Sequence, residues 1–230
     1  MRRLHKSSGE FFVVVVSARK GLTDELERLA RGITGDPSPR SLDLLWSTGE
    51  MHSVALLTLH LEESGVAAVG LNIHETGLRC NGPGQGERSV QSLSSQIRRG
   101  FDHHSVVVVP GFFGTLTGGT IVSLGRGGSD LRAVLLAYEL GALRCELIKD
   151  VPGYFTADPD TTASAEYLSA ISYDRAIEMA EGGCELVQTV ALEAARDRAL
   201  PLVVRGLGYT VRGTVVSADA NEERTCAAET

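Results

Sequence analysis

The stretch SLGRGGSDLRAVLLAYELGA, Ser123 to Ala142, decides how this chain is read. Arg126, Gly127, Gly128 and Ser129 form a bare, positively charged turn that ends at Asp130. An almost wholly apolar helical stretch follows. The two glycines let the backbone approach a ligand closely. Ser129 and Asp130 can cap the helix, whose first free N–H groups attract anions. Arg126 adds a forked donor suited to a carboxylate or a phosphate. An anion site with an acid beside it is one reading. A plain turn and N-cap is the other, and glycine-rich turns before helices are common enough that the turn alone does not choose.

The flanking sequence supplies the layers. EFFVVVVSA (Glu10 to Ala18) and HSVVVVPGF (His104 to Phe112) are continuous β-branched runs, as expected of strands buried on both faces. VAAVGLNIH, RCELIKDVPG, PLVVRGL and GTVVS read as further strands. TDELERLARGI places Leu26, Leu29 and Ile33 at helical spacing, with Thr23 as N-cap and acids in the first turn. GEMHSVALLTLHLEESG, SVQSLSSQIRRG, ISYDRAIEMAEGG and TVALEAARDRAL read as helices. DPSPR (Asp36 to Arg40) reads as a loop and CNGPGQGERS (Cys80 to Ser89) as a glycine-rich turn region. Strands alternating with helices imply βαβ units and a largely parallel sheet. Residues 1–217 are expected to form one domain, and the polar stretch 218–230 a disordered tail.

Composition narrows the function. A formal net charge of −7 with no long basic run disfavours nucleic-acid binding. Cys80, Cys145, Cys184 and Cys226 stand far apart with no C-x-x-C pair, which indicates neither a zinc site nor a disulfide framework. No apolar run reaches the roughly 18 residues of a membrane span. The reading is a cytoplasmic protein with no resident metal and no membrane partner.

The neighbours of the glycine turn carry a resemblance. From Val106 to Asp160 the chain is similar to the aspartokinase branch of the amino acid kinase family, whose pattern runs strand–GF-x-G, T-x-LGRGGSD-x-(T/S)A, and a strand ending T-D-V-x-G-(V/I)-Y-T-x-DPR. The heptamer LGRGGSD is matched completely by Leu124 to Asp130. VVVVSARKGLTDEL and LLWSTGEMHSVALL resemble the family's VVVSA-x(4–5)-T-x-x-L and S-x-GE-x-x-S segments, and the later segments follow in order. The resemblance implies an α/β fold, a three-layer αβα sandwich with a mainly parallel central sheet. It implies transfer of the γ-phosphoryl group of ATP, with Mg2+, to the side-chain carboxylate of aspartate or a related amino acid. That chemistry rests on positioning and charge neutralisation. It further implies a homodimer or a pairing with another kinase subunit.

Roles carry over residue by residue. On the substrate side the resemblance assigns Thr23, Glu50, Phe112, Arg126 and Ser129, with Glu50 facing the substrate ammonium and Arg126 its α-carboxylate. Ser129 and Asp130 are the catalytic pair it implies. On the nucleotide side it assigns Lys149, Asp150, Phe155 and Asp158, with Val151, Thr156 and Pro159 keeping the pattern.

Departures are concentrated there. Lys149 stands where threonine is common, Asp160 where the pattern has arginine, and Glu185 where it has lysine. Two acids in place of two bases reverse the local charge by roughly four units beside a polyanion. The family's opening K-(F/Y)-G-G-(T/S)-S-V segment has no match, and neither Lys6 nor Lys20 stands in its context. Either the true start lies upstream or the kinase is rewired. GTVV is followed by a short tail where ACT domains are usual, so feedback through such domains is not expected. Three functions stay open: an aspartokinase-like enzyme, a non-catalytic amino-acid-binding or partner subunit, and an enzyme of a specialised biosynthetic pathway that activates another carboxylate with ATP.

Overall fold

The computed structural model describes residues 10–81, 89–91, 94–125, 127–208, 213–220 and 223–225. They form two compact units, divided between Arg132 and Ala133. The N-terminal unit runs β1 (Phe12–Val16), α1 (Leu22–Ile33), α2 (Pro39–Glu63), β2 (Ala68–Gly70), β3 (Arg79–Asn81), β4 (Ser89–Gln91), α3 (Ser95–Gly100), β5 (Val106–Pro110), β6 (Phe113–Thr115) and β7 (Ile121–Ser123). It ends in α4 (Gly128–Leu140), which continues into the second unit.

The valine runs do what their composition demands. β5 lies between β1 and β2 and is parallel to both. Val106 and Val108 pack with Val54 and Leu61 of α2, while Val107 meets α3 at Gly100. Both faces of β5 are therefore covered, and Val106 to Val109 are buried. A half-exposed strand would have alternated with polar residues. Helix, parallel sheet and helix thus stack as three layers within this unit. A second sheet, β4-β3-β6-β7, contains two antiparallel hairpins and one parallel contact, Arg79 with Thr115.

Several boundaries differ from the sequence reading. α2 begins at Pro39 and not at Gly49, because Ser38 caps it by accepting from Ser41 N–H at 3.2 Å and Pro39 occupies the first turn. Thr23 does not cap α1. Gly21 holds that place with φ 81°, and Thr23 lies within the first turn. Ser89–Gln91 is strand and not helix, and α3 starts only at Ser95. Most of the glycine-rich region, residues 82–88, lies outside the described residues.

The C-terminal unit adds β8 (Cys145–Lys149), β9 (Tyr167–Ile171), α5 (Tyr173–Glu181), α6 (Thr189–Arg196), β10 (Leu202–Gly206), β11 (Thr214–Val216) and β12 (Glu223–Thr225). Its sheet order is β12-β9-β11-β10-β8. β8 pairs parallel with β10, and β9 with β11. The expected α/β fold with mainly parallel strands is borne out, and hydrogen bonding groups the described strands into sheets of three, five and four. The stretch expected to be disordered from residue 218 contains β12, antiparallel to β9.

One hydroxyl ties this second unit together. Thr214 Oγ1 donates to Leu168 C=O at 2.6 Å and accepts from Tyr154 N–H at 2.8 Å. Thr214 and Tyr154 are both buried. Replacing Thr214 by valine keeps the volume and orphans a buried N–H and a buried C=O. Thr214→Val is expected to lower unfolding stability by about 1–3 kcal/mol in urea titration, with Thr214→Ser much closer to the parent. Equal midpoints for parent and valine variant would show that the hydroxyl ties nothing.

Candidate active site

A cavity of about 230 Å³ opens in the N-terminal unit. Ser17 and Ala18, just beyond β1, form one wall, and Thr23 of α1 adds a hydroxyl. α2 contributes Trp46 and Glu50, and the turn after β5 contributes Phe112 and Phe113. Ser129, in the first turn of α4, closes the lining. Strand ends and a helix N-terminus thus meet at one place, as is usual for ligand sites in α/β folds.

Local chemistry fixes the geometry. Glu50 is 2% exposed, and its Oε2 accepts from Phe112 N–H at 2.8 Å. Ser17 Oγ donates to Ser129 Oγ at 3.0 Å, joining the end of β1 to α4. Gly111 is needed between them, since a Cβ there would lie 2.8 Å from Ser129 Oγ and 2.9 Å from Val15. Phe112 and Phe113 meet edge to face, with centroids 5.0 Å apart, and give the cavity an apolar side.

Burial pushes the Glu50 carboxyl up to about 7 from its ordinary 4.5. The N–H of Phe112, the charge of Arg132 and the N–H of Gly111 each pull it back down. Arg132 is wholly buried, and its Nη1 donates to Phe113 C=O at 3.4 Å. The Gly111–Phe113 turn is therefore held from one side by Glu50 and from the other by Arg132. A buried charge left without compensation costs several kcal/mol, so these two groups depend on each other.

Four of the residues expected at a substrate site, Thr23, Glu50, Phe112 and Ser129, come together around this cavity. Arg126 lies outside the described residues. The glycines on either side of it, Gly125 and Gly127, have φ of 82° and 72°, a left-handed conformation that favours glycine. Ser129 and Asp130 stand inside the first turn of α4 and not in the cap itself. An acid there is favoured by the helix dipole. The residues expected to bind nucleotide all belong to the C-terminal unit. Lys149 ends β8 and Asp150 follows it. Phe155 bridges to Tyr167, ring edge to ring face at 5.5 Å. Asp158 Oδ1 accepts from Asp160 N–H at 2.9 Å, a local Asx turn. Asp160 and Glu185 are exposed.

Sequence reasoning missed Ser17, Trp46, Phe113 and Arg132. Each had a signal. Ser17 ends the valine run of β1. Trp46 lies four residues before Glu50, hence on the same helix face. Arg132 stands at the (T/S) position of the D-x-(T/S)A pattern, so it is a departure inside the best-matched segment. Among the described residues, no three His, Cys, Asp or Glu side chains gather in a way that could hold a metal ion. No described helix is long and apolar enough to cross a membrane. A buried carboxylate, three hydroxyls and a helix N-terminus suit a small ligand that carries a cationic group and acceptor oxygens.

The raised Glu50 value predicts a pH signature. Between pH 4.5 and 7 the folded state keeps a proton on Glu50 that the unfolded chain has lost. Its contribution to stability is complete below pH 4.5 and is lost as pH rises through 7. The loss amounts to about 3 kcal/mol. Glu50→Gln should remove that decline from the pH profile of urea unfolding. Parallel profiles for the two proteins would contradict it.

Known proteins place the chain. The Amino acid kinase family model matches residues 2–206. An aspartokinase of Geobacillus stearothermophilus is 40% identical over 216 residues, covering 94% of this chain and 53% of that protein. An aspartokinase of Thermus thermophilus is 39% identical over 218 residues, covering 95% of this chain and 54% of that protein. The chain spans about half the length of the curated relatives it matches. Among solved structures, aspartate kinase from Synechocystis superposes with a TM-score of 0.78 at 35% identity, covering 94% of this chain and 36% of the other. E. coli aspartokinase III in complex with aspartate and ADP superposes with a TM-score of 0.75 at 25% identity, covering 91% of this chain and 58% of the other. With the family model matching residues 2–206 and the fold shared with these aspartate kinases, the chain belongs to the amino acid kinase family.

Proposed function

We propose that this chain is an aspartokinase-like catalytic region, which binds aspartate or a close relative in the N-terminal cavity and phosphorylates its side-chain carboxylate from MgATP. The observation that carries this reading is Glu50, a buried carboxylate with backbone N–H support that faces a cavity lined by hydroxyls. Such a group suits an ammonium ion, and a zwitterion also needs a cation for its carboxylate, the role proposed for Arg126. The complex of E. coli aspartokinase III with aspartate and ADP supports both ligands.

In the proposed reaction a side-chain carboxylate oxygen of the substrate attacks the γ-phosphorus. The bond from that phosphorus to the β,γ-bridging oxygen breaks, and its electron pair leaves with ADP. The protein's part is to hold the acceptor and neutralise charge. Glu50 and Arg126 orient the amino acid, Ser129 and Asp130 border the reacting end, and Lys149, Asp150, Phe155 and Asp158 take the nucleotide. Mg2+ arrives on the ATP phosphates as part of the substrate. The exposed leucines of α2, Leu44, Leu56 and Leu59, support work as a homodimer or beside another kinase subunit, and the cytoplasm is the proposed compartment.

One observation favours a second reading, an amino-acid-binding subunit without kinase activity. Asp160 and Glu185 are exposed acids where the family pattern has bases, and they would repel nucleotide phosphates. Trapping with hydroxylamine separates the two. The kinase reading expects aspartyl hydroxamate that depends on MgATP, with an aspartate KM about 10- to 100-fold higher in Glu50→Gln. It also expects tighter MgATP in the pair Asp160→Arg with Glu185→Lys. Aspartate binding without hydroxamate, even in that pair, would establish the binding subunit and overturn the kinase.

A further inference from the structure

Trp46 is the only tryptophan of the chain. It lies one helical turn before Glu50 on α2, and both line the same cavity. The indole ring is half-buried, but its Nε1 is fully buried with no acceptor among the described residues. A buried donor without a partner is costly, so such a group is expected to find one. Among the other polar groups of the cavity, Glu50 accepts from Phe112 N–H and Ser17 donates to Ser129, which leaves the Thr23 hydroxyl of the same lining as a second group open to a ligand. The ring is also large and rigid, so it fixes where its N–H can point. The donor therefore has a set position relative to Glu50, and no described residue supplies it an oxygen.

We infer that Trp46 determines specificity in this cavity by donating its indole N–H to a side-chain oxygen of the bound amino acid. The inference rests on the amino-acid reading above and adds to it. Glu50 takes the ammonium, and Trp46 takes an acceptor about one helical turn away. The favoured ligand class is a short amino acid with a side-chain carboxylate or amide oxygen. An amino acid of the same length without that oxygen leaves the indole unpaired and is rejected. Discrimination by an unpaired buried donor is far stronger than discrimination by one methylene.

A sole tryptophan makes the test direct. Its Nε1–H gives a single indole cross-peak in a proton–nitrogen correlation spectrum of the labelled protein. Saturating aspartate should move the indole proton downfield, whereas 2-aminobutyrate, which lacks the side-chain oxygen, should not. Isothermal titration with the parent and with Trp46→Phe gives the energetic counterpart. The parent should prefer aspartate over 2-aminobutyrate, and the phenylalanine variant should lose about 10-fold of that preference. The spectrum of the parent needs no variant, so it stands even where Trp46→Phe folds poorly. Aspartate binding with an unmoved indole peak overturns the role of Trp46 and leaves the amino-acid reading intact. Failure of aspartate to bind the parent overturns both.

Discussion

The hydrogen bond from Phe112 N–H to the Glu50 carboxylate organises the N-terminal unit. An ionised carboxyl 2% exposed in the middle of a helix is unfavourable by itself. It persists because the turn after β5 brings backbone N–H groups to it and because Arg132 sits close enough to lower its pKa. Each of these supports imposes a constraint. The turn must approach α2, so its Gly111 must lack a side chain that would strike Ser129. α4 must start beside β1, which the Ser17–Ser129 hydrogen bond secures. The cavity is the space left once these demands are met, and its lining follows from them.

This arrangement ties electrostatics to ligand choice. A carboxyl poised near 7 is half-protonated under ordinary conditions. A cation placed against it stabilises the charged form and expels the proton. Arg132 complicates the family pattern, because a buried guanidinium behind the cavity lowers the pKa of the carboxylate. Its Nη1 reaches Phe113 C=O, so its hydrogen bonding serves the turn. Recognition then depends on how the ligand's own charges complement a carboxylate that already feels a buried cation. In the C-terminal unit the electrostatic question is reversed. There, Asp160 and Glu185 lie exposed in solvent, where screening would blunt but not remove repulsion of a phosphate bound as the proposed kinase reading has it.

Much of this was legible in the sequence, for physical reasons. Val106 to Val109 could only be a strand covered on both sides, and the structure covers them with α2 and α3. Glu50 was legible through its S-x-GE setting, and Ser129 through the glycine turn. The short hairpins were not. β3, β4, β6 and β7 have three residues each, too few to show a period of two. The start of α2 was misread because Asp36 to Arg40 looks like a loop, although a serine before a proline is also a helix entry. Arg132 was missed because an arginine in a helix usually faces water, and only the fold shows that this one is buried. Trp46 was missed because an aromatic on an apolar helix face reads as core. Its significance lies in one unpaired nitrogen, which no sequence pattern reveals.

The central claim is that Glu50 is a buried carboxyl kept for a cationic ligand group. Carbon-13 NMR titration of the glutamate carboxyls tests it most directly, with Glu50→Gln identifying the Glu50 signal by its absence. The account predicts a Glu50 midpoint near 7 in the free protein, moving lower when aspartate saturates the cavity. A midpoint at the ordinary 4.5 that aspartate leaves unchanged would contradict it.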